Sequence, residues 1–256
     1  MAENILLTIV LPLILVLCAP IIGGFLMGID RKFTARMQSR MGPPLIQPFY
    51  DVIKLWGKQP FISSSLQPIL AFSYFAFSLT SFALLAFGQD LLYIIFTLAI
   101  ADLCLIVASL NSKSPYSILG GKRELMSMMS YEPILLLMSI SIYYVTGSFM
   151  VQRILSLPYP LLLYLPLTFL ALIPVLIIDL KKSPYDVSAS GHAHQELVRG
   201  VFTEFSGYTL ALVELGHWTK IVLMLSIVTL FWTVPLYIGV FLAFILFFNQ
   251  DKLLRA

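Results

Sequence analysis

The chain has 256 residues, 59% of them hydrophobic and only 11% charged, with a mean hydropathy of +0.92, whereas a soluble domain is about 25% charged. A globule of this size keeps a large polar exterior, so lipid has to be the solvent for most of the sequence, which excludes an ordinary soluble enzyme, a disordered chain and a secreted disulfide scaffold. The net charge of +3, from 16 Lys and Arg against 13 Asp and Glu, is too small to point to nucleic acid.

Runs of about 20 apolar residues mark membrane-spanning helices. They fall at 5–28, 66–88, 90–111, 125–147, 160–180, 203–231 and 233–249. The expected fold class is all-α: a polytopic transmembrane helical bundle of about seven helices, forming a single integral membrane domain over 1–256. Eight helices are possible, because 203–231 is long enough to divide. The start, Met1-Ala-Glu-Asn4, lacks a basic stretch, so the first run reads as a retained span rather than a cleaved signal. Between the first and second runs, Gln47–Lys58 alternates Phe49, Val52, Ile53, Leu55 and Trp56 with Asp51, Lys54 and Lys58. That is the pattern of an amphipathic helix lying in the membrane interface, or docking a partner. Cys18 and Cys104 each sit in an apolar run and read as core residues; two thiols hold neither an iron–sulfur cluster nor a structural zinc.

Charge sets the orientation. With seven crossings, fourteen of the sixteen bases fall in 29–65, 112–124, 181–202 and 250–256, all on one side; Arg153 lies on the other and Lys220 within a helix. This is a strong positive-inside bias. It predicts cytoplasmic large loops and C-terminus, with the N-terminus outside.

Ionisable groups within spanning helices are costly and are functional candidates. Here they are Asp102, Glu132, Glu204, Glu214, His217 and Lys220. Asp102 lies about 12 Å from the end of its helix, at 1.5 Å per residue, and Glu132 is at a similar depth. Glu204 is expected to begin the sixth helix, with Glu214 about 15 Å deeper and within about 80° of it around the axis. Burial favours the neutral form of a carboxyl, which suits such groups to take up and release protons. A set of carboxyls neutralised by hydrogen bonds or by Lys220 is the alternative. His192 and His194, in the polar segment 181–207, fit proton handling better than metal binding. An i,i+2 pair without a third ligand makes no metal site, and none is expected.

Three blocks carry a resemblance: Asp30-Arg-Lys-Phe-Thr-Ala-Arg-Met-Gln-Ser-Arg-Met-Gly-Pro-Pro44; Ser109-Leu-Asn-Ser-Lys-Ser-Pro-Tyr116 leading to Ser130-Tyr-Glu132; and Glu196-Leu-Val-Arg-Gly200 running on to Glu204-Phe-Ser-Gly207. Together, over about residues 5 to 252, they resemble the proton-translocating membrane subunit that respiratory complex I (its heel subunit, ND1) shares with group 4 energy-converting NiFe hydrogenases. Gly42-Pro-Pro-Leu-Ile-Gln-Pro-Phe-Tyr-Asp51, His192-Ala-His-Gln-Glu-Leu-Val198 and Glu214-Leu-Gly-His-Trp218 are similar to the hydrogenase branch, Ech-type above all.

The resemblance implies a subunit with no catalytic centre and no cofactor of its own. A soluble arm is expected to dock on its cytoplasmic loops and to carry the NiFe centre and 4Fe–4S clusters in hydrogenase large and small subunits and an iron–sulfur subunit. An antiporter-like membrane subunit is the neighbour expected in the bilayer, and ferredoxin the electron partner of the complex, in a prokaryotic plasma membrane. Electron transfer there is coupled to moving H⁺ or Na⁺. By position, Glu132, Glu196 and Glu204 match acids of the family's proton path, and Asp30 stands where complex I has Glu. Arg31, Arg36, Arg40, Gly42 and Pro43 match the loop that meets the catalytic subunits. Asp102, Glu214, His192, His194 and His217 join the expected proton path from depth and sequence. A quinone-site subunit of an NADH or ferredoxin:quinone oxidoreductase is the first rival. An independent secondary transporter is the second, but no inverted repeat of the kind many transporters have is visible.

Overall fold

The computed structural model describes residues 9–182, 185, 186, 188, 199–232 and 236–253, with backbone alone for 236–238 and 249–253. Nine α-helices follow in order among them: α1 (Leu11–Met37), α2 (Gln47–Trp56), α3 (Gln67–Ala86), α4 (Leu91–Leu110), α5 (Pro115–Thr146), α6 (Val151–Leu155), α7 (Pro166–Asp179), α8 (Gly207–Thr229) and α9 (Leu236–Leu253). Short 3-10 turns stand at Leu161–Leu163 and Gly200–Phe202, and no β-strand occurs among the described residues. Five helices, α1, α3, α4, α5 and α8, are long and apolar enough to cross a membrane, while α7 and Gly239–Phe248 of α9 are shorter apolar helices. The protein is a multi-pass helical membrane protein.

Element ends differ from the sequence reading where charge and helicity part company. Helix α1 continues to Met37, so Asp30, Arg31, Lys32 and Arg36 ride on a helix and not in a loop. Hydropathy falls at Asp30, but no Gly or Pro interrupts the backbone before Gly42. Helix α5 starts at Pro115 rather than 125, because proline at the first helical position has its φ already set and no N–H to lose. The expected span 160–180 is helical only over Pro166–Asp179, about 21 Å against a hydrocarbon core of about 30 Å; Pro160 and Pro166 hold the preceding stretch out of the helix. The sixth run stays undivided as α8, yet it begins at Gly207. Glu204 therefore precedes the helix in a turn, since Ser206 is extended and Gly207 takes φ +57°. Cys18 and Cys104 are half-buried, Cys104 packing against the core cluster of α3, α4 and α8.

Helix α8 is the centre of the bundle. It packs against α1, α2, α3, α7 and α9. Of its most apolar stretch 72% is buried, against 28% for α1 and for α3, so α8 is enclosed by the rest of the chain while α1 and α3 keep exposed apolar faces. The α1–α8 contact depends on Gly23 and Gly24, while Gly28, one turn on, meets the Leu45 backbone. A Cβ on Gly23 would overlap the backbone carbonyl of Trp218. Such close approach is how helices associate where lipid removes the hydrophobic driving force. Gly120 of α5 meets Gly200 in the same way, an added Cβ lying 2.5 Å from the Gly200 carbonyl carbon.

The base-rich segments gather at one end. There Asn111 Nδ2 donates to Ser64 Oγ (2.6 Å), the Phe61 N–H to Ser206 Oγ (2.6 Å) and Gln67 Nε2 to the Glu204 carbonyl (2.8 Å). At the other end the Leu91 N–H donates to the Phe149 carbonyl (2.9 Å) and the Leu162 N–H to the Phe231 carbonyl (3.0 Å).

Helix α7 ends in a Schellman motif: the Lys182 N–H donates to the Ile177 carbonyl (3.0 Å) and the Lys181 N–H to that of Ile178 (3.1 Å). The left-handed position, usually glycine, is held by Lys181 at φ +52°. Both Lys181→Gly and Lys181→Ala lose the lysine's ion pair, but only the glycine relieves the backbone. Lys181→Gly is expected to be about 1 kcal/mol more stable than Lys181→Ala, read from thermal midpoints in detergent; equal midpoints would show that this strain is absent.

Candidate functional site

Four nearly inaccessible polar side chains meet inside the bundle, each from a different helix. Lys220 of α8 places its Nζ 2.7 and 2.8 Å from the two carboxylate oxygens of Asp102 on α4, and 2.6 Å from Oδ1 of Asp179 at the end of α7. Tyr131 of α5 donates its hydroxyl to Asp102 Oδ2 at 2.7 Å, and the ammonium stands 5.6 Å from the Tyr131 ring centroid. The Asp179 side chain is 0% exposed and those of Lys220 and Asp102 3%. Asp179 is held by its charge contact with the ammonium, which is less well aligned than the two-oxygen contact of Asp102. Two carboxylates against one ammonium leave one net negative charge in a solvent-inaccessible interior, and the C-terminal end of α7 adds the unfavourable end of a helix dipole to Asp179. Uptake of one proton makes the cluster neutral. Buried charge of this kind is tolerated only when paired and hydrogen-bonded, so the cluster is suited to bind and release a proton.

A small void of about 10 Å³ adjoins it, lined by Asp102, Tyr131 and Glu132 together with apolar side chains of α4 and α5. That is about the space one water requires. Glu132 itself is half-buried, so the void leads from the enclosed cluster to a carboxyl at the outer face of α5.

Toward the base-rich end, two adjacent lysines reach in opposite directions. Lys181 pairs with Glu124 of α5 at 3.0 Å, and Ser188 donates to the other Glu124 oxygen. Lys182 pairs with Asp30 of α1 and stands 4.6 Å from the Phe247 ring. Beside them lies a cavity of about 270 Å³ whose polar lining includes Asp30, Arg31, Lys181, Lys182, Glu214 and His217. Glu214 and His217 are one turn apart on α8, which puts both on the cavity side. A second cavity of about 210 Å³ shares Arg31, Arg199 and Glu214 and adds Asp51, Lys54 and Lys58.

Residues 9–250 match the family described as NADH dehydrogenase. The chain belongs to that family. It is 32% identical to hydrogenase-4 component C of Escherichia coli over 217 residues, 78% of this chain and 67% of the relative. It is 30% identical to the H subunit of NADH-quinone oxidoreductase from Neorickettsia sennetsu over 256 residues, 87% of this chain and 74% of the relative. The fold superposes with a TM-score of 0.84, at 21% identity, on a chain of the membrane-bound sulfane sulfur reductase, an archaeal respiratory membrane complex, covering 96% of this chain and 90% of that one. This member of the NADH dehydrogenase family is a membrane subunit of a complex I-like assembly.

Within this family member, the structure brings together Asp102 and Glu132 around the small void, and Asp30, Glu214 and His217 around the larger cavity. Glu204 joins neither group. Its carbonyl is held by Gln67, its side chain lines none of these three cavities, and its place before α8 replaces the expected one on the helix. His192, His194 and Glu196 lie outside the described residues. Arg31 ties α1 to α2 through Asp51 at 2.8 Å. Arg36 and Arg40 are exposed, Arg40 donating to Gln38, and Gly42-Pro43 fold back on the end of α1, where a Cβ on Gly42 would lie 3.0 Å from Lys32 Cα. Among the described residues no three His, Cys, Asp or Glu side chains converge as a metal site.

The sequence reading missed Asp179 and Glu124 and gave Lys220 no place in the path. Asp179 stands inside the apolar run 160–180 and Glu124 immediately before the run 125–147. Counting every ionisable residue within a residue or two of a span would have found both. Tyr131 had no such signal, because a tyrosine in an apolar run is ordinary.

Proposed function

We propose that this chain is the membrane-anchoring, proton-conducting subunit of an energy-converting NiFe hydrogenase. In this reading it couples ferredoxin and H₂ chemistry in a docked cytoplasmic arm to H⁺ or Na⁺ translocation across a prokaryotic plasma membrane. The arm comprises hydrogenase large and small subunits and an iron–sulfur subunit, and an antiporter-like subunit lies beside this chain in the bilayer. The observation that carries the proton role is the buried Asp102–Lys220–Asp179 cluster, which is neutral only with one added proton. The hydrogenase branch is supported by the Glu214-Leu-Gly-His217-Trp218 segment, whose Glu214 and His217 line the larger cavity, and by the likeness to hydrogenase-4 component C.

The partner subunits' NiFe and 4Fe–4S centres supply the redox chemistry; the steps in this chain are electrostatic. Asp30 belongs to the same helix as the docking residues Arg31 and Arg36, so displacement of that helix end by the docked arm changes the Lys182–Asp30 pair and, through the neighbouring residue, the Lys181–Glu124 pair. Loosening either pair alters the field around Glu214, His217 and the cluster. A proton taken up at Asp179 makes the cluster neutral; it reaches Asp102 when the shared Lys220 ammonium gives one proton to Asp102 and takes the one held by Asp179. Release then runs from the protonated Asp102 through the one-water void to Glu132. Glu196, Glu204, His192 and His194 would act upstream, at the loop entrance; their place in the path rests on the resemblance and the sequence.

A second reading is favoured by the cavity of about 270 Å³ and by relatives such as the H subunit of NADH-quinone oxidoreductase from Carboxydothermus hydrogenoformans, at 27% identity. There the same fold serves a quinone site. One preparation of the complex in liposomes separates the two. With reduced ferredoxin, Glu132→Gln is expected to assemble and evolve H₂ while the ion gradient falls about tenfold or more, as loss of a proton-transfer group does. Saturable reduction of a short-chain quinone by the wild-type complex would reject the hydrogenase reading, and a full gradient in Glu132→Gln would reject the proton path.

A further inference from the structure

The two end cavities have similar residues but different charge. In the larger one Lys182 is matched by Asp30 and Lys181 by Glu124, and Arg31 by Asp51, leaving Arg199 and Glu214 to balance one another. The smaller cavity, between α1, α2 and α8, contains the same Arg31–Asp51 pair and the same Arg199 and Glu214, and adds Lys54 and Lys58. Neither lysine forms an ion pair with any described residue. The smaller cavity thus has two positive charges in excess.

Its position is equally specific. Helix α2 has Tyr50, Ile53 and Trp56 each more than half exposed, an apolar and aromatic edge of the kind that sits at the headgroup level of a membrane. Trp218 and Leu210 of α8 form the inner wall. A cavity of about 210 Å³ is below the range of about 300–1,000 Å³ that encloses a whole drug-sized ligand. It holds a small polar head and leaves any attached chain to run outside, along Ile53 and Trp56. Basic pockets between helices at the membrane surface take phosphate-bearing lipid heads.

We propose that the cavity between α1, α2 and α8 binds the phosphate group of an anionic phospholipid through Lys54, Lys58 and Arg199, fixing α2 to the bundle and to the bilayer at once. The proposal holds whichever redox reaction the complex performs. The test uses the complex purified through this chain, delipidated and equilibrated with nanodiscs containing phosphatidylglycerol in excess phosphatidylcholine. Phosphatidylglycerol retained after re-extraction is counted by native mass spectrometry.

The wild type is expected to retain phosphatidylglycerol and not phosphatidylcholine. Lys54→Gln with Lys58→Gln reduces retention about tenfold or more, while Lys54→Arg with Lys58→Arg keeps it. The pair Lys113→Gln with Lys122→Gln, exposed bases at the same end but away from this cavity, leaves retention unchanged. Equal retention in the Lys54/Lys58 glutamine variant, or an equal loss in the Lys113/Lys122 variant, would overturn the site. Displacement of the lipid by inorganic phosphate at matching concentration would overturn the lipid as its source.

Discussion

Lys220→Met is expected to abolish accumulation of the assembled complex, whereas Asp179→Asn is expected to leave assembly near normal and to abolish ion translocation. The asymmetry follows from the charge count in the cluster. Without the ammonium, Asp102 and Asp179 face one another in a buried interior with the Tyr131 hydroxyl as the remaining protein donor. Removing one partner of a buried ion pair costs about 3–5 kcal/mol, a large part of the total stability of about 5–15 kcal/mol typical of a domain. Asp179→Asn removes the surplus negative charge instead and leaves Lys220 bound to both oxygens of Asp102. The Asp179 carboxylate loses its contact with the ammonium, but Asp102 keeps that ammonium paired. Its neutral replacement removes one ion-pair partner and the surplus charge at once, so it is expected to cost well under the roughly 3–5 kcal/mol of the Lys220 change. Quantifying the complex in membranes by immunoblot, beside the gradient formed in liposomes, checks both halves. Equal loss of assembly in the two variants would show that Asp179 is structural and not a proton acceptor.

The second large effect comes from packing. Gly23→Ala places a methyl where the Trp218 carbonyl already lies, so α1 has to move away from α8 there. Overpacking of this kind costs about 1–3 kcal/mol, and here the obstacle is backbone, which cannot rotate aside. Gly57→Ala is the matched control. Its nearest neighbour would be the Lys54 carbonyl at 3.8 Å and its φ of −80° suits alanine, so it is expected to be neutral or to stabilise by about 0.4–1 kcal/mol. Thermal midpoints of the purified complex should fall for Gly23→Ala and stay level or rise for Gly57→Ala. A level midpoint for Gly23→Ala would show that the α1–α8 contact is slack.

Most of the bundle was legible because lipid imposes one rule, that every spanning backbone group be satisfied within a helix. The apolar runs at 66–88 and 90–111 therefore became α3 and α4 with ends moved by a residue or two. Helices that outrun their apolar stretch were read short, as with α1 past Asp30 and α5 before 125, since hydropathy senses lipid and not helicity. The site was half legible. Asp102 and Glu132 stood out as charges where lipid should be. Asp179 and Glu124 did not, because each lies at the edge of a run, where a charge looks like a loop residue. That they meet Lys220 and Lys181 is a matter of helix rotation and crossing, which one sequence does not record. The placing of Glu204 on a helix failed for a local reason: Gly207 at positive φ and an extended Ser206 hold the chain open until α8 begins.

The central claim is that the Asp102–Lys220–Asp179 cluster binds a transferable proton. Infrared difference spectroscopy of the complex, reduced minus oxidised, observes that proton directly as a protonated-carboxyl band. The wild type is predicted to show a redox-linked band that shifts in D₂O and is missing from Asp179→Asn while electron transfer continues. An unaltered band in Asp179→Asn, with the gradient intact, would contradict the account.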